Sequence, residues 1–394
     1  MSEQRFIYLD HAASTPVDPV VVEVMLPYFS ETYGNPSGLH RQARACSRAI
    51  SEARKAVAAI LNCKPKEIVF TSGGSESDNM AVRGVAWAQH LAGKGNHIIT
   101  SPIEHGAVRK TIDQLCQHYG FEQTQVPVDG YGMVNPADVE AAIRPGTVLI
   151  SIMAANNEVG TLQPISEIGQ IAKAHRIPFH SDTVQAIGAI DLDVERLPID
   201  LLAMSAHKFY GPKGVGVLYI RGGTPLIPHS TGGSHEEGRR PGTENVPYIA
   251  GLAAALKLAY QERETKMAKL IALRNRLIQG VLNTIPEAHL TGHPDQRLPN
   301  HASFAFKNCD ATALLMHLDM NGIGAASGSA CATGMPEPSD VLLAMGIDYH
   351  LALGALRLTL GRSTTEADID YVLEKLPGVV KTLRQLHQMQ QQAA

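Results

Sequence analysis

The sequence predicts an α/β protein: a mostly parallel sheet covered by helices, joined to a smaller α+β unit. Three observations lead there. Short apolar runs alternate with amphipathic helical stretches over residues 67–220, the pattern of βαβ units. A Gly-, Pro- and His-rich stretch, 224–247, then breaks the alternation, and a strongly helical run, 248–283, follows it. The length of 394 residues also exceeds one ordinary domain.

Each element has its own signal. Tyr8-Leu9 is a very short apolar run ahead of the small-residue loop Asp10–Pro16, and Val20–Phe29 is amphipathic. Between His40 and Asn62, Ala43, Cys46, Ile50, Ala53, Val57 and Ile60 recur at spacings of three and four, so one helix face is apolar and Cys46 is buried on it. Glu67–Thr71, Asn96–Ser101, Thr147–Met153, Ile177–Asp182, Ile199–Met204 and Val217–Ile220 read as strands. Gly106–Gln117 and Pro164–His175 read as helices between them. In the second unit, Ser303–Phe306 and Ala355–Leu360 are strands, and Ala311–Met320 and much of 365–390 are helical. No internal repeat is visible, and the Gln-rich C-terminus is expected to fray.

Composition narrows the function classes. Hydrophobic residues make up 44% of the chain and charged ones 18%, enough apolar surface for a sizeable core. The net charge of −4, with no basic run, gives no electrostatic footprint for nucleic acid. No segment approaches the ~20 apolar residues of a membrane span, and Met1–Asp10 lacks the apolar core of a secretory signal. The five cysteines, at 46, 63, 116, 309 and 331, form no CxxC pair, so neither a zinc site nor a disulfide framework is expected. A reducing, cytoplasmic setting fits that usage.

The chemistry gathers where strands end. In open α/β sheets ligands bind at the C-terminal edge of the strands. His105, Asn156-Asn157-Glu158, Asp182 and His207-Lys208 all fall there. Lys208 lies in a Gly-rich turn between two apolar runs, where backbone packs closely and an amine of lowered pKa suits Schiff-base chemistry with pyridoxal phosphate. Alone, such a lysine is ordinarily a solvated charge; four other stretches supply the remaining parts. Ser72–Asp78 joins a strand to a helix N-terminus, a place for one phosphate group. It matches neither a dinucleotide nor a nucleotide-triphosphate loop, and Ser75 serves equally as an ordinary N-cap. Asp182 would pair with a pyridine nitrogen and keep it protonated, or cap a helix. Gln185 could donate to the ring hydroxyl; Gly74, Ser75, Ser205 and His207 would hold the phosphate. His105 could stack on the ring and move protons, or be one ordinary histidine among 17. Cys331 is the exception among the cysteines: its neighbours are nearly all Gly, Ala, Ser or Thr, which predicts a mobile, exposed loop over about residues 325–338.

Taken in order, these stretches resemble the NifS/IscS-type cysteine desulfurases of the class-V aminotransferase family. The similarity runs from Tyr8 to Gly361. It is carried by Tyr8–Ala13, Phe70–Asn79, Glu104–Val108, Ala155–Thr161, His180–Ala186, Ser205–Gly216, Arg239–Asn245, Ser327–Cys331 and Arg357–Arg362. Two positions depart from the family's pattern. Ser75 stands where Thr is common, which keeps the hydroxyl, and Ala332 follows the cysteine where Thr is common, which bears on partner choice.

The resemblance implies a fold-type-I pyridoxal-phosphate transferase with a seven-stranded sheet. Its large domain would span 15–260, and its small domain 1–14 plus 261–394. It implies conversion of L-cysteine to L-alanine, with Cys331 as the nucleophile that becomes a persulfide and hands sulfur to an acceptor protein, such as an iron–sulfur scaffold. Arg357, with Asn157, would clamp the substrate carboxylate. Thr243 would reach the phosphate of the other subunit of a homodimer. The rivals are an aminotransferase or selenocysteine lyase of the same fold, and a binding scaffold with a decayed site.

Overall fold

The computed structural model describes residues 5–261, 263–328 and 337–393. Among these residues, twelve strands fall into three sheets. They are β1 Ile7–Tyr8, β2 Ile68–Thr71, β3 His97–Thr100, β4 Glu122–Gln125, β5 Thr147–Ser151, β6 Phe179–Asp182, β7 Leu201–Ser205, β8 Gly216–Ile220, β9 Ala288–Leu290, β10 His301–Phe306, β11 Ile323–Gly324 and β12 Ala355–Thr359.

The large sheet has seven strands in the order β2-β8-β7-β6-β5-β3-β4. From β7 to β4 every pairing is parallel; β8 alone runs antiparallel to both neighbours, β2 and β7. β2, β3, β6, β7 and β8 are buried along their whole length, as strands covered on both faces must be. One face packs under the helices Arg41–Leu61, Ile165–Ala174 and Val246–Gln261, and the other under Gly74–Leu91 and Gly106–Tyr119. β4, Glu-Gln-Thr-Gln, is the strand of this sheet that pattern reasoning misses: as a polar edge strand it shows no apolar alternation.

A second core forms around the antiparallel sheet β12-β10-β9 and the helices Arg263–Thr284, Ala311–Met320 and Glu366–Ala393. Ile7 and Leu9 insert into this core, because β1 pairs with β11 at the far end of the chain. The N-terminal loop that follows therefore crosses from the second core to the C-terminal edge of the large sheet. Thr15 N and Oγ1 bond the carbonyl of His207 at 2.9 and 3.0 Å.

Candidate active site

The C-terminal ends of β5, β6 and β7 open into one cavity of about 290 Å³. Its walls include Gly74, Ser75, His105, Asn157, Asp182, Gln185, Ser205, His207, Lys208 and Arg357, ten of the twelve residues singled out from sequence. Thr243 is exposed and is not among its walls. Cys331 lies outside the described residues.

Lys208 ends a single 3₁₀ turn, Ala206–Lys208, placed directly after β7. Its Nζ donates to the carbonyls of Ala12 and Ala13 at 2.6 and 2.9 Å. Burial and the Arg357 cation push this amine down to about 8, against a partial pull upward from Asp182 and Asp10. Gln185 Nε2 reaches the same carbonyl of Ala12, at 3.0 Å.

Asp182 closes β6, and its Oδ1 accepts the Val184 N–H at 2.9 Å. Burial pushes its carboxyl up, while His105, that N–H and Lys208 favour the anion. His105 caps the helix Gly106–Tyr119, with Nδ1 accepting from Ala107 N at 3.1 Å. One side-chain nitrogen or oxygen each of His105, Asp182 and Asp78 lie within 4.8 Å of one another.

The Ser72–Asp78 turn has the form that a phosphate group would require. The helix Gly74–Leu91 starts at an N-cap, Gly73, so Ser75 is not the cap and is one of the cavity's walls. The first N–H groups of a helix lack internal partners. Gly73 has φ 155°, and a Cβ on Gly216 would stand 2.7 Å from Gly73 backbone, so two glycines let β8 and the turn meet. An adjoining opening is lined by Ser72, Gly73, Ser75, Ser205, His207 and Lys213.

Arg357, on β12, spans the two cores. Its Nη2 pairs with Asp10 at 2.8 Å and its Nη1 donates to the Asn157 carbonyl at 2.8 Å, while Nε is buried without a partner. Asp10 was not singled out as a site residue; the stretch Tyr8–Ala13 was its only signal. An orphaned guanidinium N–H, a depressed lysine amine, a buried carboxylate and an anion turn together fit a phosphorylated aromatic aldehyde and an amino-acid carboxylate.

The chain belongs to the aminotransferase class-V family, whose profile matches residues 7–372. It is 50% identical over 385 residues to a protein of Methanosarcina thermophila described as "Cysteine desulfurase IscS", covering 98% of this chain and 94% of that one. Among solved structures, a "NIFS-LIKE PROTEIN" superposes with a TM-score of 0.89 at 38% identity, over 96% of this chain and all of that one. A structure titled "SspA in complex with cysteine" gives 0.78 at 36% identity, over 91% of this chain and all of that one. The fold is accordingly that of the fold-type-I pyridoxal-phosphate enzymes, and pyridoxal phosphate is the cofactor.

Proposed function

We propose that this chain is a cysteine desulfurase that moves sulfur from L-cysteine onto Cys331 and leaves L-alanine. The observation that carries the reading is the meeting of Lys208, Asp182, the Gly74–Ser75 turn and Arg357 in one cavity. Bound there, the cofactor supplies an aldehyde for the amine and a sink for the electrons of a carbon–hydrogen bond.

The residues divide the remaining work. Asp182 holds the ring nitrogen, and Gly74, Ser75, Ser205 and His207 hold the phosphate. Arg357 and Asn157 orient the substrate carboxylate. Lys208, partly neutral near neutral pH, takes the α-proton, with His105 beside it as a relay. The Cys331 thiolate attacks the substrate sulfur, so a sulfur–sulfur bond forms as the carbon–sulfur bond breaks. The bonding pair stays with the carbon skeleton, which takes up a proton to become alanine.

Two facts support Cys331 as the nucleophile. Cys46, Cys63, Cys116 and Cys309 line no part of the cavity, and burial raises the thiol pKa of each. Described residues on either side of Cys331 also meet at Glu158, the neighbour in sequence of the cavity residue Asn157. Ser339 Oγ donates to Glu158, beside Asn157, and a Cβ on Gly328 would overlap the same carboxyl at 2.0 Å.

The reading extends to domains 15–260 and 1–14 plus 261–394, supported by the separate cores. It extends to a homodimer in which Thr243 reaches the neighbouring phosphate. Exposed Val20, Val22, Leu26 and Phe29 supply an apolar face for that pairing. It also extends to a cytoplasmic sulfur-acceptor protein. Cys331→Ser tests the core claim: the variant should keep the bound-cofactor absorbance and make neither alanine nor sulfide from cysteine, with no keto acid added. Undiminished turnover in that variant would refute it.

A further inference from the structure

Two carboxylates line the cavity, Asp182 and Asp78, and the mechanism employs only the first. Asp78 sits in the second turn of the helix Gly74–Leu91 and is 1% exposed, against 6% for Asp182. Their oxygens lie within 4.8 Å of one another. Two enclosed carboxylates that close do not both ionise; they share one proton.

Their surroundings decide which one keeps it. Asp182 Oδ1 accepts a backbone N–H, and the Lys208 cation also favours its anion. Asp78 Oδ1 has no hydrogen-bond partner. The groups facing it are Asp182 and His180 on β6, and Glu104 and His105 after β3. Its nearest ring nitrogen is His180 Nε2 at 3.4 Å, itself fully enclosed and unpaired. Burial holds His180 neutral, down to about 3, and its Nδ1 faces Ser151 Oγ at 2.8 Å. With the hydrogen on Nδ1, Nε2 is an acceptor that suits a protonated Asp78.

We infer that Asp78 is a positioning residue that carries the shared proton, turns it towards His180 Nε2 and so leaves Asp182 as the single negative charge under the cofactor's ring nitrogen. The inference rests on the proposed placement of that nitrogen against Asp182. It has a consequence that a plain packing role lacks: when Asp182 loses its charge, Asp78 is free to ionise and stands in for it.

The test is a double-mutant cycle on Asp78→Asn and Asp182→Asn. Cofactor dissociation constants and the pH titration of the bound-cofactor absorbance are read, with infrared spectra of the unloaded proteins. Asp78→Asn should weaken cofactor binding about two- to threefold alone and about tenfold or more in the Asp182→Asn background. An equal loss in both backgrounds overturns the inference. So does a fall of one pH unit or more in the absorbance midpoint of Asp78→Asn alone, which would mean that a charge had been removed. Glu104 and Glu158, which burial pushes up to about 8 and about 7, give protonated-carboxyl bands of their own, so the infrared is read as the wild-type-minus-variant difference: one such band of the unloaded wild type should be missing in Asp78→Asn, and a difference spectrum with no lost band overturns the inference. Should Asp78→Asn not fold, His180→Gln must shift that band, and an unshifted band is equally fatal. If the wild type binds no cofactor at all, the proposed function fails, while the infrared arm still decides the proton's place.

Discussion

The depressed amine of Lys208 makes the most direct test of the site. At pH 7 an amine titrating near 8 is about one-tenth neutral, against a few parts in ten thousand for an ordinary lysine at 10.5, a gain of about 300-fold in reactive form. The causes are burial first and the Arg357 cation second. Stopped-flow mixing of the unloaded protein with pyridoxal phosphate, followed by absorbance from pH 6 to pH 10, reads this directly. The rate of covalent capture should rise about tenfold per pH unit and level off near 8. Arg357→Leu removes a neighbouring positive charge, so the inflection should move to higher pH. Lys208→Ala should bind the cofactor without covalent capture. A wild-type rate still climbing tenfold per unit above pH 9.5 would show an ordinary, solvated lysine and refute the reasoning.

Three further substitutions test the scaffold. Arg54→Ala strands the Glu236 carboxylate, whose side chain is 1% exposed and paired to Arg54 at 2.7 Å; urea unfolding should show a loss of about 3–5 kcal/mol, and a loss under 1 kcal/mol counts against it. Gly361→Ala would place a Cβ 2.1 Å from His11 Cε1, in a ring boxed by Tyr8 and Tyr210, and should cost about 1–3 kcal/mol in thermal or urea unfolding. Glu158 is pushed up to about 7 by burial, so the folded state binds its proton more tightly than the unfolded chain does. That stabilisation is complete below the ordinary glutamate range and is lost as pH rises through 7. The stability advantage of wild type over Glu158→Gln should therefore shrink by up to about 3 kcal/mol between pH 4.5 and pH 7; an advantage that grows with pH reverses the sign and the argument.

Legibility in the sequence followed local cause. The buried strands of the large sheet read clearly because strands covered on both faces must be apolar throughout. The strand–turn–helix junction at Ser72–Asp78 read clearly because Gly73 and Gly74 meet a backbone demand made within a few residues. Lys208, Asp182 and Asn157 were visible as polar groups at strand ends, where topology leaves a crevice. β4 escaped because an edge strand needs no apolar face. Asp10 escaped as a named site residue because its partner, Arg357, is 347 positions away, and no short-range pattern encodes that pairing.

The chain's own order of residues thus determined the sheet, the glycine turn after β2 and the kinds of side chain that reach its edge. Only the tertiary structure decided which of them share a charge. Pairing of β1 with β11 carries Asp10, Ala12 and Ala13 across to Arg357 and Lys208, and folding encloses Asp78 against Asp182. Propensity and periodicity act over a few residues, whereas electrostatic coupling acts through space, between groups that the sequence keeps far apart.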